Sequence, residues 1–533
     1  MKYITLVFLI AVIHLGLVVD DASAEPDRPN VIFIIADDLN DMIEGYGGHP
    51  QAITPHLARL AATGTSFTRA YCTTPICAPS RATLMTGIHS HHSRNLWFDT
   101  WFKNEALANS HTIQSFFKAN GYHTAGTGKV SHIPHRPSWD EWANDPNYGP
   151  HAWDGTKRVG NPHIPEPFSQ GGKNDGGFGP ISQVPFDGQD GKGWVASPGN
   201  TPPLWRYVSE DDRDPTPDEA NAQWAADFLD AYPERGIDKP FFLAVGLIRP
   251  HSPTHAPDRF FDLFPLDEVL LPKTQPNDMD DTGFPAVFPL EKRGYKIAYN
   301  RLIRSYPTAE EGLKRFMQAY LACITAMDEN VGQVLDALER SPYRDNTIVV
   351  FTSDHGMHLG EKQYLFKLTL WEESARVPLI IRAPGVTSPG SLASAPVSLI
   401  DLFPTLIELC GLEGDTRKSD MGLPLDGHSF KPLLKDPVNG TWDGPDAALT
   451  FLYSGSWVKS DDQHNWSLRS RDFRYIRYRD GGEELYDHRV DPYEWTNLTG
   501  DPQHAQTIQA FRDRLAEQVP AEWLPRIKGV TDR

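Results

Sequence analysis

Four polar residues follow two apolar stretches of the chain in a pattern suited to binding a metal ion. Asp37 and Asp38 follow the apolar part of NVIFIIADDLN, and Asp354 and His355 follow that of NTIVVFTSDHG. Three carboxylates that meet without compensating charge repel one another, so a hard divalent cation is their natural partner. Oxygen-rich ligand sets favour Ca²⁺ or Mg²⁺ over zinc. An isolated Asp-Asp pair can also cap a turn, and the second, similar stretch is what favours the metal site.

A cysteine opens the second chemically suggestive stretch, PICAPSRATLMTG (75–87). Pro79 suits the first turn of a helix, which places Cys77 at the helix N-terminus, where backbone N–H groups and the helix dipole favour anions. A thiolate nucleophile at this position needs a base such as a nearby histidine. A free thiol is also an unusual neighbour for hard oxygen ligands of a metal. The residue types alone therefore leave the role of this thiol open.

Long apolar stretches indicate the elements that position these residues. The stretches 30–40, 240–251 and 346–356 are apolar on both faces before their polar ends, which is typical of buried strands in a parallel sheet covered by helices. Alternation of such strands with helices predicts an α/β sandwich. The segments that complete this pattern are helices at 55–64, 112–121, 308–340 and 398–411 and a strand at 377–385.

The rest of the chain divides by composition. Residues 1–24 have the layout of a signal peptide, with Lys2, an apolar run and a small-residue cleavage site, which predicts export without a stable membrane anchor. Residues 25–440 are expected to form a catalytic domain, in which the Pro-, Gly- and Trp-rich stretch 133–217 contributes irregular loops around the site. Residues 441–533 are expected to form a smaller α+β subdomain with an antiparallel sheet and a terminal helix near 502–518.

Charge and cysteine content exclude several classes of protein. The chain has 533 residues and a formal net charge of −20, which argues against binding nucleic acid or anionic lipid through bulk electrostatics. An anionic substrate must therefore be attracted by a local cationic pocket or a metal. Cys72, Cys323 and Cys410 are too widely spaced to form a disulfide scaffold and are expected to be small buried hydrophobes.

Five segments in the same order as in a known family give these residues a context. CAPSR (77–81) matches the C-x-P-x-R signature of sulfatases, and NVIFIIADDLN, GKVSH, RPH and TSDHG accompany it. The chain resembles a type I, formylglycine-dependent sulfatase of the alkaline-phosphatase superfold over residues 30–385 and most of the C-terminal part. It is most similar to iduronate-2-sulfatase and its bacterial relatives, on the stretches GTGKVSH (126–132), KPFFLAVGLIRPHSP (239–253) and TSDHGMHLGEKQYLFK (352–367).

The resemblance implies a modified side chain and a set of site residues. A maturation enzyme would oxidise Cys77 to formylglycine (3-oxoalanine), whose hydrate attacks sulfur with one hydroxyl and expels sulfate with the other. The implied metal ligands, for Ca²⁺ or else Mg²⁺, are Asp37, Asp38, Asp354, His355 and residue 77. The implied catalytic and substrate-binding residues are Arg81 beside the formylglycine, Lys129 and Lys367 on the sulfate, His132 as base, His251 as acid and His358 on the substrate.

Several interpretations stay open at this stage. The expected substrate is a sulfated polysaccharide or oligosaccharide, handled in the periplasm or outside the cell. Phosphodiester and phosphonate monoester hydrolases of the same superfold are the enzymatic alternative, and a non-catalytic sulfoglycan-binding protein is the alternative from another class. His255 and the HSHH run at 89–92 are expected at most to line the cleft, and the run is not assigned a metal.

Overall fold

A computed structural model of the chain describes residues 28–184, 191–196, 204–288, 290, 294–454 and 464–525. The predicted signal peptide lies outside the described residues. The strands, in chain order, are β1 (Asn30–Asp37), β2 (Thr65–Tyr71), β3 (His123–Gly128), β4 (Glu141–Trp142), β5 (His151–Trp153), β6 (Arg158–Val159), β7 (Phe178–Pro180), β8 (Gly193–Val195), β9 (Leu204–Trp205), β10 (Tyr207–Ser209), β11 (Asp212–Arg213), β12 (Phe241–Pro250), β13 (Thr254–Ala256), β14 (Thr347–Ser353), β15 (His358–Leu359), β16 (Leu365–Phe366), β17 (Arg376–Arg382), β18 (Ser391–Ala393), β19 (Val397–Ser398), β20 (Ala447–Leu452), β21 (Asn465–Ser470), β22 (Phe473–Arg477) and β23 (Glu483–Asp487).

The α-helices in the same ranges differ greatly in length. They are α1 (Pro55–Thr63), α2 (Cys77–Thr86), α3 (Ser90–Ser93), α4 (Glu105–Ala108), α5 (Ile113–Ala119), α6 (Pro217–Ala231), α7 (Asp258–Phe261), α8 (Phe284–Val287), α9 (Tyr295–Ser305), α10 (Ala309–Arg340), α11 (Glu372–Ala375), α12 (Leu402–Cys410), α13 (Lys431–Lys435) and α14 (Ala505–Gln518). The long helix predicted at 308–340 is confirmed as α10, which begins after the Thr308 side chain accepts a hydrogen bond from the Glu311 backbone N–H.

A large mixed sheet forms the centre of the molecule. Nine of the described strands belong to it, in the order β18-β2-β17-β14-β1-β12-β3-β4, with β19 also paired to β2. The run β14-β1-β12-β3-β4 is parallel, whereas β17 is antiparallel to both of its neighbours. The α/β sandwich with a mixed, mostly parallel sheet that the sequence predicts is therefore confirmed.

Strand β1 shows why its sequence is apolar on both faces. Ile32 and Ile34 belong to one buried cluster, with side chains of α6 and α10, and Val31, Phe33 and Ile35 belong to a second cluster, with side chains of α5 and α12. Helices cover both faces of the sheet, so every residue of the strand is buried and no alternation of polar residues appears.

The C-terminal part forms a separate antiparallel sheet, β20-β21-β22-β23, as the sequence predicts. Helix α14 packs on one face of it through Ile508, Phe511 and Leu515, and these side chains share a buried cluster with Leu468 and Tyr475. Among the described residues, no helix combines the length and apolar character needed to cross a membrane.

The stretch 133–217 differs from a purely irregular insertion. It contains eight short described strands, β4 to β11, and four of them pair in the order β6-β5-β8-β9. Each of these four strands is two or three residues long, and such short strands leave no alternating pattern in a sequence. The sequence therefore does not indicate the small sheet, although it does indicate that this stretch contains no long strand or helix.

Candidate active site

The parallel strands bring the chemically suggestive residues to one edge of the central sheet. Asp37 ends β1, Lys129 follows β3, His251 follows β12 and Asp354 follows β14. These four strands are neighbours and run parallel, so their carboxyl ends lie side by side. Side chains that are distant in the sequence meet there because each follows a buried strand directly.

Four side chains meet closely enough to hold a metal ion. Asp37, Asp38, Cys77 and His355 each offer one donor atom, and these atoms all lie within 4.8 Å of one another. The Asp37 Oδ1 and Asp38 Oδ2 atoms are buried without a hydrogen-bond partner. Buried carboxylate oxygens of this kind are costly unless a cation or donor satisfies them. The two carboxylates therefore fit a divalent cation that prefers oxygen ligands, whereas the thiol of Cys77 is not a typical ligand of such a cation.

Asp354 and His355 complete this group from β14. Asp354 Oδ2 lies 3.6 Å from His355 Nε2, which is itself 3.4 Å from Asp38 Oδ1 and 3.3 Å from Cys77 Sγ. The His355 Nδ1–H donates to the Gly356 carbonyl at 3.0 Å, which leaves the lone pair of Nε2 directed toward the carboxylates. Burial lowers the pKa of His355 well below its usual value, so the ring is neutral and able to ligate.

The three carboxylates respond differently to the same burial. Burial opposes ionisation of Asp37, but Lys129, His251 and Arg81 hold its pKa well below the usual value. Burial raises the pKa of Asp38 to about 7 despite Lys367, and that of Asp354 to about 6 despite Arg81. The latter two carboxylates thus gain most from a cation that stabilises their charged forms.

Arg81 holds these carboxylates in place from the first turns of α2. Its Nε donates to Asp354 Oδ2 at 2.9 Å, one Nη donates to the Ala36 carbonyl at 2.9 Å, and the other donates to the Lys129 carbonyl. The guanidinium is completely buried, and its Nη2 atom lies 3.4 Å from Asp37 Oδ1. These bonds join the ends of three strands, so Arg81 orders the surroundings of Cys77 rather than the thiol itself.

Cys77 is the first residue of α2, as its spacing from Pro79 predicts. Its side chain is 3% exposed, and burial, with Asp37 next in importance, raises the pKa of the thiol to about 12. A thiol in this environment stays protonated at neutral pH and is a poor nucleophile. Burial of Cys77 and the raised pKa of its thiol therefore disfavour thiolate chemistry for the unmodified side chain.

The two lysines pair with different carboxylates. Lys129 forms an ion pair with Asp37 and lies 4.8 Å from the centre of the Tyr148 ring, and it has no exposed surface. Lys367 Nζ lies 2.6 Å from Asp38 Oδ1 and 3.1 Å from Cys77 Sγ. Lys367 reaches the cavity described below, whereas Lys129 lies beneath Tyr148.

His132 and His251 border the same space and are both neutral at pH 7. Burial, assisted by Lys129, lowers the pKa of His132 to about 3, so this ring can accept a proton. Burial, assisted by Lys367, also lowers the pKa of His251, whose Nδ1–H donates to the Ser252 carbonyl. His251 can donate from Nε2 only after it takes up a proton, which an anion bound beside it would favour.

A cavity of about 520 Å³ opens above these groups. Its floor contains Cys77, His132, His251 and Lys367. Its walls come from the stretch 133–217, from α9 and from the segment after α3, through Trp97, Phe98, Tyr148, Phe168, Asn174, Asp175, Tyr295 and Arg301. The stretch 133–217 supplies several of these lining residues, whereas no described residue of the C-terminal sheet lines this cavity. That the stretch faces the substrate stays a prediction.

Three groups of histidines lie elsewhere. His358 is completely buried and its Nε2 pairs with Thr369 Oγ1 at 2.7 Å, so the structure does not place it on substrate. The Nδ1 atom of His255 pairs with the Gly179 carbonyl, and its ring packs on Trp194. The HSHH run at 89–92 packs beside Asp426 and the C-terminal tryptophans.

The four cysteines are all buried and form no disulfide, which confirms the expectation for Cys72, Cys323 and Cys410.

Several residues of the site have no sequence signal that would single them out. Tyr295 and Arg301 lie on α9, a short polar helix outside any recognisable motif. Tyr148 and Asp175 lie in the irregular stretch, where Asp175 Oδ1 accepts a hydrogen bond from Ser252 Oγ at 2.7 Å. Their place in the site depends on tertiary packing, which only the structure shows.

Comparison with known proteins identifies the family. The family model described as Sulfatase matches residues 29–412. This chain belongs to the sulfatase family. A second family model, described as N-sulphoglucosamine sulphohydrolase, C-terminal, matches residues 360–520. The sulfatase is accordingly a sulfuric ester hydrolase, as the resemblance in its sequence implied.

Relatives of the sulfatase cover most of its length. A protein of Formosa agariphila named sulfatase is 34% identical over 513 residues, which cover 94% of this chain and 88% of that protein. Human iduronate 2-sulfatase is 28% identical over 425 residues, which cover 74% of this chain and 70% of the human protein. The predicted similarity to iduronate-2-sulfatase and to bacterial sulfatases is confirmed.

Solved structures confirm the alkaline-phosphatase-like fold of the sulfatase. A protein in complex with its substrate D-glucosamine-2-N,6-O-disulfate superposes with a TM-score of 0.65 at 22% identity, covering 92% of this chain and 98% of that one. A phosphonate monoester hydrolase from Silicibacter pomeroyi superposes with a TM-score of 0.67 at 21% identity, covering 92% and 95%. At this level of identity the likeness shows the fold alone.

Proposed function

We propose that the sulfatase hydrolyses sulfate esters of sulfated oligosaccharides or polysaccharides, with formylglycine derived from Cys77 as the nucleophile. The observation that supports this most strongly is the position of Cys77, at a helix N-terminus within 4.8 Å of three metal-ligating donors and at the floor of a cavity. A buried thiol with a raised pKa has no use there as a thiolate. Its oxidation to an aldehyde gives the position a chemical role.

The proposed cofactor is Ca²⁺, with Mg²⁺ as the alternative, held by Asp37, Asp38, Asp354, His355 and residue 77. When bound, this cation would polarise the attacking oxygen and offset the charge of the sulfate group. Arg81 keeps the Asp354 carboxylate and the end of β1 in position through its hydrogen bonds. The orphaned oxygens of Asp37 and Asp38 support this assignment.

The remaining residues handle the sulfate group and its protons. Lys367 presents a positive charge beside residue 77 and can contact sulfate oxygens directly, while Lys129 acts through Asp37 from beneath the cavity. His132 faces the cavity and would take the proton from the second hydroxyl of the hydrated aldehyde once a bound anion raises its pKa from about 3. His251, once protonated beside the bound anion, can donate to the oxygen of the leaving sugar.

The cavity supports a carbohydrate as the leaving group. Trp97, Phe98 and Tyr295 offer aromatic surfaces to a sugar ring, and Asp175 and Arg301 offer polar groups to its hydroxyl or carboxylate substituents. The names of the relatives, iduronate 2-sulfatase among them, support the same substrate class. The predicted signal peptide supports export to the periplasm or the cell exterior, where such glycans occur.

A screen of sulfated sugars tests this proposal. Matured protein is incubated with defined sulfated mono- and oligosaccharides and with phosphodiester and phosphonate monoester substrates, and free sulfate and phosphate are measured. Mass analysis of the peptide containing residue 77 should show a loss of about 18 Da relative to the thiol. Release of phosphate without release of sulfate would contradict the proposal and favour the phosphonate hydrolase alternative, which the fold alone also permits.

A further inference from the structure

The segment that carries Lys367 has an unusual backbone. We name residues 361–372 the Lys367 segment. Within it, four residues other than glycine have positive φ angles: Lys362 (54°), Gln363 (51°), Phe366 (64°) and Leu368 (71°). Each such residue costs conformational energy and persists only where its surroundings fix it. The position of the Lys367 ammonium therefore depends on what holds this segment.

The C-terminal subdomain holds the segment before Lys367. The Lys362 ammonium is 1% exposed and donates to the backbone carbonyl of Glu494. It also lies 2.7 Å from Asp278 Oδ1. A buried ammonium with two acceptors is fixed in direction, so the start of the segment is tied to the loop that follows β23.

The same subdomain holds the segment after Lys367. Arg474 of β22 is completely buried, and its Nη1 donates to the Leu370 carbonyl at 2.8 Å. Its guanidinium also pairs with the carboxylates of Glu372 and Glu494. Glu494 Oε2 in turn accepts a hydrogen bond from the Glu372 backbone N–H at 3.0 Å. One arginine and one glutamate thus fix the end of the segment.

The segment also contacts the catalytic domain near Lys367, where the Lys367 ammonium pairs with Asp38 at 2.6 Å. The backbone N–H of Leu368 donates to the Pro75 carbonyl at 3.3 Å. The Trp371 Nε1–H, by contrast, donates to Glu484 of β23 at 2.9 Å. The C-terminal subdomain therefore supplies a buried backbone carbonyl before, and buried charged side chains after, a lysine whose ammonium lies 3.1 Å from Cys77 Sγ.

We infer that Arg474 and Glu494 are positioning residues for sulfate ester hydrolysis, acting through Lys367. This inference rests on the proposed function, in which Lys367 contacts the sulfate group. The C-terminal subdomain lines no described part of the cavity, yet it sets the place of a cation beside the nucleophile. A displacement of a reacting or stabilising group by about 1 Å can cost on the order of 10²-fold in rate.

A double-mutant cycle tests the inference. Arg474→Lys keeps a positive charge but loses the fork that joins Leu370, Glu372 and Glu494. The kcat of this variant should fall about 10- to 100-fold. In a Lys367→Ala background the same change should alter kcat by less than about twofold, because groups that act through one another are not additive. Independent losses that multiply in the double variant would overturn the inference.

A matched control lies on the same subdomain. Arg512 of α14 also pairs with a glutamate, Glu483 of β23, and this pair lies outside the Lys367 segment. Arg512→Lys should change kcat by less than about twofold, since it removes an equivalent fork without moving Lys367. A loss equal to that of Arg474→Lys would show a general effect on the subdomain and would overturn the inference.

Two further measurements distinguish failure of this inference from failure of the proposed function. The double-mutant cycle uses whichever ester the wild-type protein hydrolyses. If the wild-type protein releases no sulfate, the proposed function is contradicted, while the coupling between Arg474 and Lys367 can still be measured on the other ester. Full activity of Lys367→Ala would overturn both the role of Lys367 and the inference. If Arg474→Lys does not fold, Glu494→Gln replaces it, and hydrogen exchange should accelerate in residues 361–372 while β1 and β14 keep their protection. Unchanged exchange there would count against the inference.

Discussion

The floor and the walls of the cavity are built in different ways. The floor residue His251 directly follows a buried parallel strand, as do Asp37 and Lys129 next to it, and Cys77 begins a helix. Wall residues such as Asp175 lie on irregular segments or, like Arg301, on a short helix. Apart from Lys367, the floor is thus fixed by the central sheet and α2, whereas the walls depend on packing between distant segments. We infer that the floor determines the reaction and that the walls determine the substrate.

Replacement of Cys77 is the strongest test of the role of the floor. Cys77→Ala should lower sulfate release on the order of 10⁵-fold or more, because it removes the nucleophile. The thermal unfolding midpoint should change little, since a buried methyl group replaces a small buried thiol. Activity assays and calorimetry on the same preparation check this. Multiple turnovers by Cys77→Ser would contradict the aldehyde as nucleophile, because a serine ester cannot expel sulfate unaided.

Removal of a metal ligand should have the next largest effect. Asp38→Asn takes away a carboxylate with an unpartnered buried oxygen, and kcat should fall about 10²- to 10³-fold, as expected for loss of one charge-stabilising group. Bound Ca²⁺ or Mg²⁺, measured by elemental analysis, should fall with it. Chelation of the wild-type protein should abolish activity, and addition of the cation should restore it. Full activity in a metal-free preparation would contradict the proposed centre.

Changes in the walls should alter substrate preference rather than the reaction. Asp175→Asn removes a negative charge and should shift the ratio of kcat/KM toward sulfated uronates, relative to neutral sugar sulfates, by about 10-fold. Arg301→Gln removes a positive charge and should shift the same ratio in the opposite direction. Both are measured with one pair of substrates. Equal ratios in all three proteins would mean that these walls do not select the sugar.

A helix cap outside the site should have the smallest effect. Thr112 caps α5, where its Oγ1 accepts a hydrogen bond from the Ser115 backbone N–H. Thr112→Ala should lower the free energy of unfolding by about 1 kcal/mol and leave kcat and substrate preference unchanged. Chemical denaturation and the same kinetic assay check this. A change in preference would show that the floor and the walls are coupled through the scaffold.

The sequence predicts those elements whose residues show a pattern of apolar side chains within one strand or one helix. The apolar stretch before Asp37 and the periodic stripe of α10 reflect burial within one element, so strand and helix are readable from the residues. The motif around Cys77 is contiguous, so its resemblance to a family signature is also readable from the residues. For these elements, the predicted strand or helix agrees with the structure.

The remaining parts depend on contacts between distant residues. His358 lies in a motif with site residues, yet the chain turns it inward to pair with Thr369. Arg81 belongs to the Cys77 motif, yet its bonds to Asp354 and two carbonyls join strand ends that are distant in the sequence. The partners of Arg474 are likewise separated from it by up to 104 residues. No spacing in the sequence indicates which of these pairs will meet.

The charge balance of the floor has a consequence for turnover. Asp37, Asp38 and Asp354 are matched by Arg81, Lys129 and Lys367, so an added divalent cation makes this small region positive within a chain of net charge −20. Low-dielectric walls concentrate such a field. The sulfate that is released from the ester should therefore dissociate slowly from the site. We expect product inhibition by sulfate that weakens as ionic strength rises.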